Sequence, residues 1–166
     1  MSKELIRKVQ SDQAEKTGNA SLQGSQLESF VVQSIELVMR FVNSDSTGKL
    51  HGIRVTSLNH VDLMVQSDSG MPTDFHARRK LLYPELHCLL GEYVSSVRID
   101  KDRRLIISFA NDSSLIFSNE PEEVFDPLDF NWSIDFDDDW ERTPGVRSLS
   151  CVLSEAGEAE FYVSAE

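Results

Sequence analysis

The chain has 166 residues, with Lys and Arg at 16 positions against Asp and Glu at 28, which gives a formal net charge of −12 and a hydrophobic content of 40%. That length suits one domain, able to bury roughly 70% of its unfolded surface without a disulfide or metal, and the negative charge opposes a phosphate backbone, which excludes direct nucleic-acid binding. Glu36 and Arg40 interrupt the most apolar stretch, 30–42, so no run reaches the length needed to cross a bilayer, and two distant cysteines without a signal-peptide pattern predict a cytoplasmic, reducing location.

Residues 1–25 are short of groups able to offset the entropy of ordering, so they are expected to form a flexible or weakly helical N-terminal arm ahead of a single mainly-β domain over 26–166. Leu5, Ile6 and Val9 have the spacing of a short amphipathic helix. The segment 25–43 carries two patterns. Ser25 and Glu28 make a capping-box spacing, with Leu27, Phe30, Val31, Ile35 and Val38 on one helical face. Against this, Ile35, Leu37, Met39 and Phe41 alternate with polar residues in a β-branched run, and the reading favours a strand from about Ser34. A hairpin-like loop at 44–48 then leads to strands at 52–55 and 61–65, parted at Asn59-His60.

Turn chemistry fills 67–73, and a helix is expected over about 74–90, capped by Thr73 or Asp74 and stopped at Gly91. Pro84 removes a backbone donor inside it, so the helix should kink or split in two. After Gly91, the runs 93–99, 104–109 and 115–117 predict a three-stranded meander with reversals at Asp100-Lys-Asp and Asn111-Asp-Ser. The runs 146–153 and 159–163 predict a closing hairpin around Glu155-Ala-Gly157. A likeness between 28–35 and 91–97 is read as chance between two amphipathic strands, without a repeat. The fold class predicted is therefore α+β, mainly β, with antiparallel sheets built from hairpins and a meander and one kinked helix.

The residues offer no recognisable catalytic arrangement. His51, His60, His76 and His87 lack metal-ligand spacing, and the nucleophile-elbow, phosphate-loop and dinucleotide glycine patterns are absent. Cys88 and Cys151 read as small hydrophobes. No metal, no cofactor and no enzymatic activity are expected; the carboxylate spacing also fails the calcium-loop pattern.

The unusual stretch is 120–141. It holds ten of the 28 acids and no Lys or Arg, interleaved with Phe125, Phe130, Trp132, Ile134, Phe136 and Trp140. Such a mixture suits protein recognition, with rings as anchors and charge steering a basic partner. The alternation of Trp132, Ile134 and Phe136 reads as the inward face of a strand. The candidate partner-binding residues are Asp135, Asp137, Asp138, Asp139, Trp140 and Glu141, because clustered like charges oppose folding unless something uses them.

Over 90–117, Leu-Gly-Glu-Tyr-Val-Ser-Ser-Val leads into Arg-Arg-Leu-Ile-Ile-Ser-Phe and then Ser-Ser-Leu-Ile-Phe. This stretch resembles small bacterial cytoplasmic β-rich proteins, some of which look like immunity proteins of contact-dependent or secreted toxin systems. Asn111-Asp112 stands where those proteins commonly have a turn glycine, and no functional residue is carried over. The resemblance and the acidic stretch together imply a non-enzymatic, antitoxin-type module that occludes a basic protein partner. The alternatives are an assembly subunit whose exposed strands pair in a homo-oligomer, and an enzyme using Cys88 or a His–Asp pair.

Overall fold

The computed structural model describes residues 5–33, 36–58, 61–64, 75–119, 130–136 and 146–165. In chain order these form β1 (Leu5–Val9), α1 (Ser11–Leu22), β2 (Gln26–Val32), β3 (Leu37–Ser44), β4 (Leu50–Ser57), β5 (Val61–Met64), α2 (Phe75–Cys88), β6 (Val94–Ile99), β7 (Leu105–Phe109), β8 (Ser114–Phe117), β9 (Phe130–Phe136), β10 (Val146–Leu153) and β11 (Ala159–Ala165). One sheet has seven strands in the order β1-β11-β10-β9-β4-β3-β2, and the other has four in the order β5-β8-β7-β6. Every named pairing is antiparallel. The mainly-β α+β class follows, as the alternation of apolar and polar residues requires.

One core lies between the two sheets. Leu37, Met39 and Phe41 of β3, with Trp132 and Ile134 of β9, face Leu105, Ile107 and Phe109 of β7, all at or near zero exposure. Phe41 and Phe109 stack at 6.4 Å across the gap. The strand β7 buries one face, while Ile106 and Ser108 on the other are half-buried. The meander over β6, β7 and β8 and the closing hairpin β10–β11 stand where the sequence predicts them.

The chain changes sheets twice. β4 lies in the larger sheet, but β5, only a few residues later, joins the smaller one beside β8; β8 is in turn followed by β9, which returns to pair with β4.

Two expectations are corrected. Residues 5–25 are no loose arm: β1 is the edge strand beside β11, and α1 is packed with Ala14, Leu22 and Ser21 fully buried. Its low hydrophobicity misleads because small residues bring it close to its neighbours. A Cβ at Gly18 would stand 3.0 Å from Val97 Cγ1, so the contact is between backbone and side chain with nothing to spare.

The segment 25–43 is a hairpin: the strand favoured by the alternation is present as β3, from Leu37, and a second strand, β2, takes the place of the helical pattern before it. Ser25 and Glu28 form no capping box. The Ser25 hydroxyl donates to Ser21 O at 3.4 Å and accepts from Asn43 Nδ2 at 3.2 Å, and Glu28 pairs with Arg40 Nε at 3.2 Å. Of the two outcomes expected at Pro84, the structure has the single helix: α2 runs through it without splitting in two. Gly91, just past this helix, takes φ 86 and donates its amide to Leu27 O, the left-handed turn that glycine permits at least cost.

The open edge of β6 is closed in an unusual way. Asn19 Nδ2 donates to Val97 O while Asn19 Oδ1 accepts the Val97 amide; Gln23 Nε2 donates to Ser95 O, and Glu15 Oε2 accepts the Ile99 amide. Four helical residues rise about 6 Å and two strand residues about 6.6 Å. The side chains at 15, 19 and 23 therefore run in step with the outward backbone groups of 99, 97 and 95, and α1 takes the place of a neighbouring strand.

Candidate docking surface

The seven-stranded sheet has an inner face that forms the core and an outer face that neither helix occupies: α1 lies against β6, β10 and β11, and α2 against β5. The outward residues form two rows across the strands. One runs Ser29, Arg40, Arg54, Asp135, Ser148, Ser164 and the other Val31, Val38, Thr56, Ser133, Ser150, Tyr162, each residue directly opposite the next.

This face is hollowed. Two adjoining depressions of ≈ 630 Å³ and ≈ 480 Å³ share Val31, Val38, Arg54 and Asp135. Thr56 and Ser133, opposite each other at its floor, are only 4% and 6% exposed although they face away from the core. Gln33 and Glu36 stand at one side and Arg54 and Asp135 at the other. No histidine or cysteine is among the described residues that line it.

The charges follow the register. From β2 to β9 the order is Glu28, the extra residue at the irregularity beside Ser29, then Arg40, Arg54 and Asp135, acids outside and arginines inside. Glu28 holds Arg40, and Asp135 Oδ2 lies 3.9 Å from Arg54 Nε while accepting the Ser133 hydroxyl at 2.9 Å. Asp135 is thus on the outer face of the sheet, as the sequence predicts for an outward strand position, and its carboxylate already has partners within the sheet.

The inward face of β9 is also as the alternation predicts, with Trp132 and Ile134 at 0% exposure and Phe136 at 8%. The Trp132 ring lies 6.0 Å from Phe161, and its Nε1 is a buried donor with no partner among the described residues. Asp137, Asp138, Asp139, Trp140 and Glu141 lie outside the described residues. What the sequence and β9 give together is their tether: the run of carboxylates begins one position after Phe136, which lines the hollow next to Gly52 and Ile53.

The remaining chemistry is scattered. Burial pushes the Cys151 thiol up to about 12, so it stays protonated at neutral pH. Cys88 is exposed at the end of α2, and the His87 ring stands edge-on to Phe30 at 5.0 Å. The one His–Asp contact among the described residues is His51 Nε2 with Asp45 Oδ2 at 3.0 Å, in the hairpin between β3 and β4. Asp45 there also accepts from the Thr47 hydroxyl and amide and from the Lys49 amide; the Thr47 hydroxyl above all, then His51, holds its carboxyl well below the usual range. These bonds close a turn, and His51 is 5% exposed. No group of three or more potential metal ligands occurs among the described residues, and none of their helices is long and apolar enough to cross a membrane.

Compared with known proteins, the chain matches no family model, no curated protein and no solved structure.

Proposed function

We propose that this chain is a non-enzymatic protein-binding module of the immunity or antitoxin type, which works in the cytoplasm by occluding a basic partner. The observation that carries the reading is the position of β9. This strand is central in the sheet whose outer face neither α1 nor α2 occupies, and it stands in the middle of the stretch 120–141 that holds ten of the 28 acids. Segments rich in carboxylates leave from both its ends, so a field of one sign is tethered beside a hollow face, an arrangement that raises the encounter rate with a basic surface.

In this reading Asp137, Asp138, Asp139 and Glu141 supply the steering charge, Trp140 the anchor, and Asp135 the edge of the contact on the sheet. Capture from the native host should recover one basic protein. Asp137→Ala/Asp138→Ala/Asp139→Ala should slow its association about 10-fold or more at low salt and far less at 0.5 M salt, because exposed charges are screened beyond roughly one Debye length. Association rates that ignore both salt and these substitutions would refute the reading.

A second reading, a homo-oligomer joined through edge strands, is favoured by β1. It is a sheet edge with Leu5 and Ile6 at 66% and 68% exposure, and unpaired strand edges are templates for pairing. Light scattering of the purified chain separates the two readings: a stable oligomer in the absence of any other protein supports the second.

A further inference from the structure

We infer that the chain is a dimer fused into one polypeptide: two equivalent units, 11–64 and 75–136, each a helix, a meander of three strands and a fourth strand, interlocked because each places its fourth strand in the other's sheet. The order α1-β2-β3-β4-β5 is repeated as α2-β6-β7-β8-β9. β5 of the first unit pairs with β8 of the second, and β9 of the second pairs with β4 of the first. An exchange of this kind is what two copies of one chain make when they swap an element. The inference is independent of the proposed function.

The units agree in detail from the end of the helix to the first hairpin. Leu22-x-Gly24-x-x-Leu27-x-Ser29 and Leu89-x-Gly91-x-x-Val94-x-Ser96 join helix to first strand. Both glycines are left-handed, with φ 79 and 86, and both first strands carry an irregularity at the same place, between Leu27 and Ser29 and between Val94 and Ser96. The first hairpin closes by Gln33 N to Glu36 O in one unit and Asp100 N to Arg104 O in the other. The likeness of 28–35 to 91–97, taken as chance from the sequence, is this repeat seen in the wrong register.

The two units also meet through bonds that exchange roles. Gly24 N donates to Val94 O and Gly91 N to Leu27 O, both at 2.8 Å; Leu27 N donates to Glu92 O and Val94 N to Ser25 O. Between them Gln26 and Tyr93 form an antiparallel bridge. Phe41 and Phe109, the fifth residues of their respective second strands, stack on one another. A pseudo-two-fold axis accounts for all of these at once, whereas unrelated segments would have to meet each condition separately. β1, β10 and β11 lie outside the units and extend one sheet only.

The test is to place a protease site within 65–74 of the full chain, cut it, separate the halves in denaturant and remix them. Interlocked units should stay together on cutting, elute as one 1:1 species after remixing, and regain the far-UV spectrum and single unfolding transition of the uncut protein. Halves that fail to recombine, or a first half that refolds by itself as a monomer with the full strand signal, overturn the inference. In the uncut chain, Phe41→Ala and Phe109→Ala should lower the urea midpoint by comparable amounts, and the double variant by less than their sum, since residues in contact are coupled. Additive losses, or one silent substitution, would count against equivalence.

Discussion

Arg103 and Asp112 hold left-handed backbone, φ 58 and 64, in the two turns of the meander, where glycine would be free of strain. Side chains fix these turns instead. Asp100 Oδ1 accepts the amides of Asp102 and Arg104, Asp100 Oδ2 accepts Arg104 Nε at 2.8 Å, and Asn111 Oδ1 accepts the Ser113 amide. The sequence marks both reversals through these Asp and Asn residues; Asp112 lies inside the second and is of a type that tolerates left-handed backbone, whereas Arg103 falls just past Asp100-Lys-Asp, where propensity gives no sign. Partial burial works against the charge of Asp100, yet the Arg104 amide and guanidinium hold its carboxyl below the usual carboxylate range. A carboxyl depressed in the folded state stabilises fully above its unfolded value of about 3.9 and loses that contribution as pH falls through the folded value. Urea unfolding followed from pH 6 to pH 2.5 should therefore show part of the acid loss disappear in Asp100→Asn. At neutral pH, Asp100→Ala should cost about 1–2 kcal/mol, since it removes several turn bonds at a half-buried site. An unchanged acid profile in the Asn variant would assign the loss to other carboxyls, among them Glu160, which Lys8 and then Tyr162 hold below the usual range.

At the scale of the element, α1 shows what hydrophobic pattern misses. Its buried face is Ala14, Thr17, Gly18, Ser21 and Leu22, and only Leu22 among them would register as a core residue in a sequence. The Thr17 and Ser21 hydroxyls are satisfied by the carbonyls of Gln13 and Thr17 one turn back, so burying them leaves no donor unmet. Closeness replaces bulk here, and the gain is the ladder from Glu15, Asn19 and Gln23 to β6, which shields a sheet edge without a strand. Asn19→Ala removes one bond from Val97 N and one to Val97 O and should cost about 2 kcal/mol by urea titration. The Val97 amide should at the same time lose protection in hydrogen exchange. Gly18→Ala should be comparably harmful, because Val97 Cγ1 must yield. Should Asn19→Ala leave both stability and Val97 protection intact, α1 would be held by its apolar contacts alone. The strands of the meander, by contrast, are legible in advance, because β7 and β8 alternate inward and turn residues bound the hairpins; in 25–43 the two periods overlap, and only pairing with β4 selects the strand.

For the whole molecule, the class of fold was readable from patterning, while the sheet membership of β5 and β9 was not, since exchange between two units is a long-range pairing that local sequence does not encode. The same exchange supplies an internal comparison for the outer face of the larger sheet. Arg40 stands directly opposite Arg54 in the first unit; Ser108 stands opposite Ser114 in the second, their hydroxyls 3.0 Å apart. Like charges directly opposite each other on a sheet are unfavourable, and the second unit makes the same fold without them, so the arginine pair is not a requirement of the architecture. Glu28 and Asp135 draw the two guanidinium groups apart, and with side chains 60% and 65% exposed these ion pairs are worth little. Arg40→Ser/Arg54→Ser should then leave the unfolding free energy within about 0.5 kcal/mol of the parent. The variant carries two fewer positive charges on the face beside the acidic segment. If the basic partner is steered by the field of the whole surface, its association at low salt should quicken, and the difference should vanish as salt is raised. A slower association at unchanged stability would mean that the partner presents acids to this face and that Arg40 and Arg54 bind them directly.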